Sequence, residues 1–373
     1  MINYLDNAAT SFPKPDCVIE KLNFCLKKYC GNPGRSSHSL SVQSAEAIYS
    51  AREKIAKMLS TDSPERVVFL YNATHALNLA IKTLITEKCH VLISDFEHNS
   101  VIRPLYSLKR KIGIEYSTFN TDGDLITSLR DALRPDTKAI VSSIASNVTG
   151  RSISLPVLSE FARNNSLYLI IDASQAIGHC DINLSKNYCN ALCAPGHKGL
   201  FGIQGSGFVC FNEDTRRDSF FEGGSGFDSA SLEMPILLPE GYEAGTLATP
   251  AIVSLAEGID YISKIGLNEI NNKLSYLTME TEERLSQFDQ IKILGKGNGI
   301  VSFNLGNLPS SIVAEQLDDL GICVRGGLHC APSIHRKLGT INRGAVRISY
   351  SYLNDLSDVD GVYKAIRTII SEM

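Results

Sequence analysis

No run of apolar residues in this chain approaches the roughly 18 needed to cross a membrane. Its first residues, MINYLDNAATSFPKP, have neither the basic start nor the apolar core of a secretion signal, so the protein is expected in the cytoplasm. Nor is there a bank of positive charge: 36 Lys and Arg are scattered among 40 Asp and Glu, for a net charge of −4. Neither a nucleic acid nor an anionic membrane is expected as a partner, which leaves a small molecule as the substrate class. The ten cysteines follow no metal-binding plan. The closest pair, Cys189 and Cys193, has no second cysteine pair to complete a zinc site, and no metal is expected. In a reducing cytoplasm the ten are expected as free thiols, nearly all buried as small apolar side chains. Internal repeats and low-complexity segments are absent, which removes solenoid architectures. Tryptophan is also missing, and that excludes nothing.

What is present is an ordinary globular composition, 43% hydrophobic and 20% charged, in 373 residues. Chains beyond roughly 250 to 300 residues usually divide into domains, so a large and a small one are expected. Helical spacing runs through AEAIYSAREKIAKML (Ala45 to Leu59) and ATHALNLAIKTLI (Ala73 to Ile85). Short apolar runs lie between and after them: VVFL (67–70), HVLIS (90–94), KAIVSSI (138–144), LYLIID (167–172) and GFVCF (207–211). Continuous hydrophobic runs alternating with helices predict an α/β layer with a mostly parallel sheet, because parallel strands are covered on both faces. The direction of the last run is left open, with antiparallel pairing as the alternative. Beyond EAGTLATP the pattern changes to a long amphipathic stretch (Ala251 to Phe288), GIVSFNL, a helix near Ser310 to Leu320, AVRISYS and a final helix. This predicts a second, smaller α+β domain. The large domain is expected over 16–250, and the small one over 251–373 together with segment 1–15.

In open α/β sheets ligands gather beyond the carboxyl ends of the strands. His98 follows HVLIS, Asn147 follows KAIVSSI, Asp172 and Gln175 end and follow LYLII, and His197 and Lys198 stand in the glycine-rich loop before GFVCF. An aspartate ending a buried strand, then His-Lys-Gly about 25 residues on, is what a pyridoxal phosphate site requires. Lys198 would form the Schiff base, and Asp172 would keep the pyridine nitrogen protonated. A helix starting at Ala73 and Thr74 can offer backbone N–H groups to the phosphate. Gly199, Gly202, Gly205 and Gly207 lack the strand-to-helix turn and the acidic residue of a dinucleotide site.

The ordered motifs YLDNAAT, NPGRSSHSLS, NATHALN, EHNS, NVTG, DASQ, GHKG, EAGT, RGGLHCAP and VRISYS resemble the class V aminotransferase-fold enzymes, and among them the cysteine desulfurases and selenocysteine lyases. The resemblance implies a PLP-dependent transferase fold of type I, with a mostly parallel seven-stranded sheet flanked by helices. It implies that His98 stacks on the ring and helps to move protons, that Asn147 and Gln175 bond the phenolic oxygen, and that Asp172 faces the pyridinium. Lys198 carries the cofactor and His197 binds its phosphate, with Ala73 and Thr74 at the same end. Thr246 reaches the phosphate from the other subunit of a homodimer. Arg347 holds the substrate carboxylate, with Arg325 and Asn147 near it, and Cys330 accepts sulfur.

The implied reaction converts L-cysteine to L-alanine and leaves a persulfide on Cys330, whose sulfur passes to an acceptor protein or leaves as sulfide. L-Selenocysteine is an alternative substrate. A β-eliminating cysteine C–S lyase and a non-catalytic assembly partner are alternative functions, and Cys330 disfavours a transaminase. A free thiol is only a few per cent ionised at neutral pH, so Arg325, His329 and Arg347 are the candidate sources of positive charge or of a base. Cys323, in GICV, reads as core. Two departures stand out: Pro195 replaces the usual hydroxyl two residues before His-Lys, and His75 replaces a common glutamate.

Overall fold

The structure is a computed structural model that describes residues 2–34, 36–212, 220–227 and 230–373. Arg35, within NPGRSSHSLS, lies outside the described residues. Strand β1 (Asn3–Tyr4) opens the chain, followed by helices α1 (Asp16–Lys28) and α2 (Ser39–Met58). Strands and helices then alternate: β2 (Val67–Leu70), α3 (Ala73–Leu84), β3 (His90–Ser94), α4 (Asn99–Ile112), β4 (Glu115–Phe119), α5 (Leu125–Ala132), β5 (Thr137–Ser143), α6 (Leu155–Asn164) and β6 (Tyr168–Asp172). With β7 (Ala191–Pro195) and β8 (Gly207–Phe211) they form a seven-stranded sheet in the order β2-β8-β7-β6-β5-β3-β4.

Strands β4, β3, β5, β6 and β7 run parallel, and β8 is antiparallel to both β7 and β2. The mostly parallel α/β layer is therefore present, and the open direction of GFVCF resolves as antiparallel. Alternate residues of the strands face opposite sides. Leu92, Ile140, Leu169, Ile171 and Leu192 enter one core, while Val91, Ile93, Val141, Ile170 and Cys193 enter the other. Burial on both faces is why these strands read as continuous apolar runs rather than as alternation.

The remaining elements are α7 (Thr249–Ile265), α8 (Leu267–Leu285), β9 (Ile291–Gly297), β10 (Ile300–Leu305), α9 (Ser310–Asp319), β11 (Ile322–Cys323), β12 (Arg325–Gly327), α10 (Pro332–Lys337), β13 (Ala345–Ser349) and α11 (Leu356–Ser371). The amphipathic stretch from Ala251 forms two helices. Gly266, at φ +91°, ends α7 and starts α8, a left-handed backbone position that glycine adopts without strain. Strands β12, β13, β10 and β9 form an antiparallel sheet in that order. The chain's start joins this layer: β1 pairs in parallel with β11, and Asp6 bridges Ser349. On this pairing we propose the division expected from the sequence, residues 16–250 against residues 251–373 with 1–15.

The cysteines are less uniformly buried than expected. Cys25, Cys89, Cys189, Cys193 and Cys210 are buried, Cys17, Cys180 and Cys323 are half-buried, and Cys30 and Cys330 are exposed. Cys323 is not core, because β11 is a two-residue edge strand and its Sγ lies 3.5 Å from Asp318 Oδ1. Among the described residues no helix is long and apolar enough to cross a membrane, and no group of three His, Cys, Asp or Glu could hold a metal ion.

Candidate active site

The carboxyl ends of β3, β5, β6 and β7 open on one side of the sheet. Their loops place His98, Asn147, Asp172, Gln175, His197 and Lys198 around a single cavity of about 110 Å³. The start of α3 closes one end. Asn72 caps that helix by accepting from His75 N at 2.9 Å, and Ala73 and Thr74, whose first-turn N–H groups a helix cannot bond internally, are among the residues lining the cavity. Thr74 Oγ1 and Ser100 Oγ lie 2.8 Å apart, and Ser100 Oγ is 2.9 Å from His98 Nδ1. Pro195, the last residue of β7, lines the same cavity without a hydroxyl, while Thr74 and Ser100 bring two.

The helix start depends on a glycine. A Cβ on Gly207 would stand 2.5 Å from the carbonyl carbon of Asn72, so no larger residue fits without moving the cap. Gly207→Ala is expected to weaken pyridoxal phosphate binding at least about tenfold, a displacement of the anion-binding end of α3. Fluorescence titration of the cofactor-free protein reads this directly.

His98 caps α4, its Nδ1 accepting from Ser100 N at 3.0 Å. Burial pushes its imidazole down to about 4; the Asp172 carboxylate opposes this, while Lys198, Arg325 and Arg103 add to it. The ring is neutral at physiological pH. Burial pushes Lys198 down to about 8, with Arg347 and Arg325 acting in the same sense and Asp172 and Asp6 against it. Reaction of the Lys198 amine with an acylating reagent, followed by peptide mass spectrometry, is therefore expected to rise with a midpoint near pH 8 rather than 10.5.

The backbone under Lys198 is fixed from the chain's start. The His197 carbonyl accepts from Ser11 N at 3.0 Å and from Thr10 Oγ1, Ser11 Oγ and Lys14 Nζ at 3.1 Å each. Its ring, held neutral by burial and by Lys198 and Lys14, has a buried Nδ1 with no partner among the described residues. Gln175 Nε2 donates to Ala8 O at 2.9 Å. Asp172 is buried, and its Oδ1 accepts from Ser174 N at 2.9 Å. These groups fit pyridoxal phosphate: a helix start for an anion, a buried carboxylate for a protonated ring nitrogen, an amine with a depressed pKa, and an unpartnered imidazole nitrogen.

Arg347 and Arg325 face each other across the β12–β13 pair. Arg347 is almost fully buried. Its Nη2 donates to Asp6 Oδ1 at 2.5 Å and its Nη1 to Asn147 O at 3.0 Å, while its Nε is buried without a partner among the described residues. Asn147 Nδ2 donates to His329 O at 2.7 Å, and Asn99 N donates to Cys330 O at 2.7 Å. Cys330 is thus seated, through backbone bonds, on the loops that carry the cavity. His329 cannot supply positive charge to it: burial, reinforced by Arg347, Arg325 and His335, holds its ring well below the usual imidazole range.

Thr246 is not brought to this cavity. It lines a separate one of about 330 Å³ with Tyr71, His75 and Phe221. Asp6, Ser100 and Asn99 were missed as site residues, although all three stand inside quoted motifs. Glu97, directly before His98, was missed too. It is buried, accepts from Ser143 N and Ser143 Oγ at 2.8 Å, and is pushed up to about 7 by burial.

The architecture is the type I fold of pyridoxal phosphate-dependent transferases. The sequence profile described as Aminotransferase class-V matches residues 3–362, and the chain belongs to that family. It is 30% identical over 369 residues to the "Probable cysteine desulfurase" of Methanothermobacter thermautotrophicus, covering 95% of this chain and 92% of the relative. It is 29% identical over 380 residues to the cysteine desulfurase of Salmonella agona, covering 98% and 93%. The solved cysteine desulfurase from Thermococcus onnurineus NA1 superposes with a TM-score of 0.92 at 29% identity, over all of this chain and 95% of that one. Enzymes of this family depend on pyridoxal phosphate.

Proposed function

We propose that this chain is a pyridoxal phosphate-dependent cysteine desulfurase, converting L-cysteine to L-alanine and a persulfide on Cys330. The observation that carries the reading is the seat of Cys330, whose carbonyl and that of His329 are bonded by Asn99 and Asn147, the neighbours and members of the cofactor cavity. Ala73, Thr74 and His197 would hold the phosphate, Asp172 the ring nitrogen, Gln175 and Asn147 the phenolic oxygen, and His98 the ring face. Bound cofactor supplies an aldehyde for amine exchange and an electron-poor ring that stabilises negative charge at the substrate Cα.

Arg347 holds the substrate carboxylate through donors that Asp6 and Asn147 leave available, with Arg325 adjacent. Lys198, deprotonated more readily than an ordinary lysine, takes the Cα proton and returns a proton to the product side. His98 stays neutral and would orient proton movement beside bound cofactor. Cys330 Sγ attacks the substrate sulfur; the S–S bond forms as the Cβ–S bond breaks, and the thiol proton ends on the alanine carbon. No outside oxidant or reductant is required. Exposure of Cys330 suits onward transfer to a protein acceptor in the cytoplasm. We read Thr246 as completing the phosphate site of a second copy, in a homodimer.

The test is product analysis with L-cysteine and a reductant. Alanine and sulfide in equal amounts are expected. Pyruvate and ammonia as main products would replace this reading with β-elimination, and a far higher rate with L-selenocysteine would reassign the substrate.

A further inference from the structure

The segment that follows Cys330 is tied to the large sheet by a charge cluster that the reaction does not use. Lys337, the last residue of α10, places its ammonium against the carboxylates of Asp95 and Asp122 and 2.8 Å from Asn120 Oδ1. Asp95 is buried and also accepts from Thr121 Oγ1 at 2.7 Å and Thr121 N at 3.2 Å. Asp122 is shared with Arg151. Asp95 opens the short loop that carries Glu97 and His98 and leads into Asn99, the first residue of α4 and the donor to Cys330 O. This loop and the helix start it leads into thus hold the thiol segment at two points, the ammonium of Lys337 through Asp95 and the carbonyl of Cys330 through Asn99, while Asn147 holds the carbonyl of His329. Between these ties His329 and Cys330 both take left-handed backbone angles, φ +49° and +57°, which are uncommon away from glycine. Such a turn persists where its surroundings over-determine it.

We propose that Lys337 is a positioning residue for the sulfur-accepting thiol. Its ion pairs to Asp95 and Asp122 lock α10 onto the His98 loop, so that the left-handed turn presents Cys330 at a fixed place relative to the cavity. The proposal rests on the reading of Cys330 as sulfur acceptor. Methionine at 337 keeps the stem and removes the charge, leaving Asp95 a buried carboxylate without its cation. Arginine restores the charge.

The decisive comparison is between two reactions of the holoenzyme. Exchange of the Cα hydrogen of L-alanine in heavy water needs the cavity and Arg347 but not a thiol, whereas alanine formation from L-cysteine needs both. Lys337→Met is expected to slow alanine formation about tenfold or more and to leave Cα exchange within about twofold, the pattern of a displaced reacting group. Lys337→Arg is expected to recover most of the loss. In cofactor-free protein, the rate of Cys330 alkylation and amide hydrogen exchange across 326–337 should both change in Lys337→Met. Should that variant fail to fold, Asp122→Asn, on a half-exposed carboxylate, is expected to give a smaller change of the same kind. Equal losses in both reactions, or no loss in either, would overturn the proposal. If the wild type forms no alanine, the desulfurase reading fails separately, and unchanged alkylation in Lys337→Met would still overturn the positioning role.

Discussion

Alanine formation from L-cysteine is expected to fall by roughly 10³-fold or more in Cys330→Ala, the scale on which loss of a nucleophile is felt, while Cα hydrogen exchange of L-alanine continues near the wild-type rate. The contrast follows from how Cys330 is held. Its structural contact is the backbone carbonyl bonded by Asn99, which alanine keeps, and its side chain is exposed. The substitution therefore removes a sulfur atom without disturbing Lys198, Asp172 or Arg347. Chromatographic amino-acid analysis for the first reaction and mass spectrometry of recovered L-alanine for the second give both rates from one preparation. Unchanged alanine production would deny Cys330 its role, and collapse of both reactions would make it a structural residue.

Lys198→Ala is expected to abolish both reactions together, with a loss of at least about 10²- to 10⁴-fold for the missing proton transfer alone. The same variant should lose the covalently held cofactor, seen as loss of its visible absorbance after desalting. The fold should survive. Lys198 titrates near 8 in the folded chain and 10.5 in the unfolded one, so below about pH 8 a cation is kept where burial disfavours it. Between these values the unfolded chain binds more protons, and cofactor-free wild-type protein gains stability as pH rises across that window. Lys198→Ala lacks that slope. Thermal melts of the two cofactor-free proteins from pH 7 to 10 should converge from a more stable variant, and a variant less stable at pH 7 would contradict the burial of a charged amine.

The sheet was legible where strands are covered on both faces. VVFL, HVLIS and GFVCF coincide with β2, β3 and β8, because unbroken apolar runs have no other stable place in such a layer. Strand β4 was not legible. EYSTF lies at the sheet edge with mostly exposed or half-buried residues, and its polar side chains read as a connection. Strand β7 hid for another reason: ALCAP ends in proline ahead of a glycine-rich loop, and proline reads as a breaker even where, as here, it is the last strand residue. Helix α2 begins at Ser39, ahead of the expected Ala45, because His38 caps it through Ser41 N, and imidazole is not a usual capping signal.

Residues around the cavity were legible because each follows a strand end, which position along the chain reveals. Asp6 and Lys337 were not, since their partners, Arg347 in one case and Asp95 and Asp122 in the other, are remote in sequence and meet only through tertiary packing. The neutrality of His329 was also invisible. It depends first on burial and then on Arg347, remote in sequence, as well as on Arg325 of RGGLHCAP.

The most direct measurement is mass spectrometry of the Cys330-containing peptide after a single turnover with L-cysteine and no reductant. One added sulfur on Cys330, in amount equal to the alanine released, is the predicted result. Alanine or pyruvate accumulating while Cys330 remains a free thiol would contradict sulfur transfer to this residue.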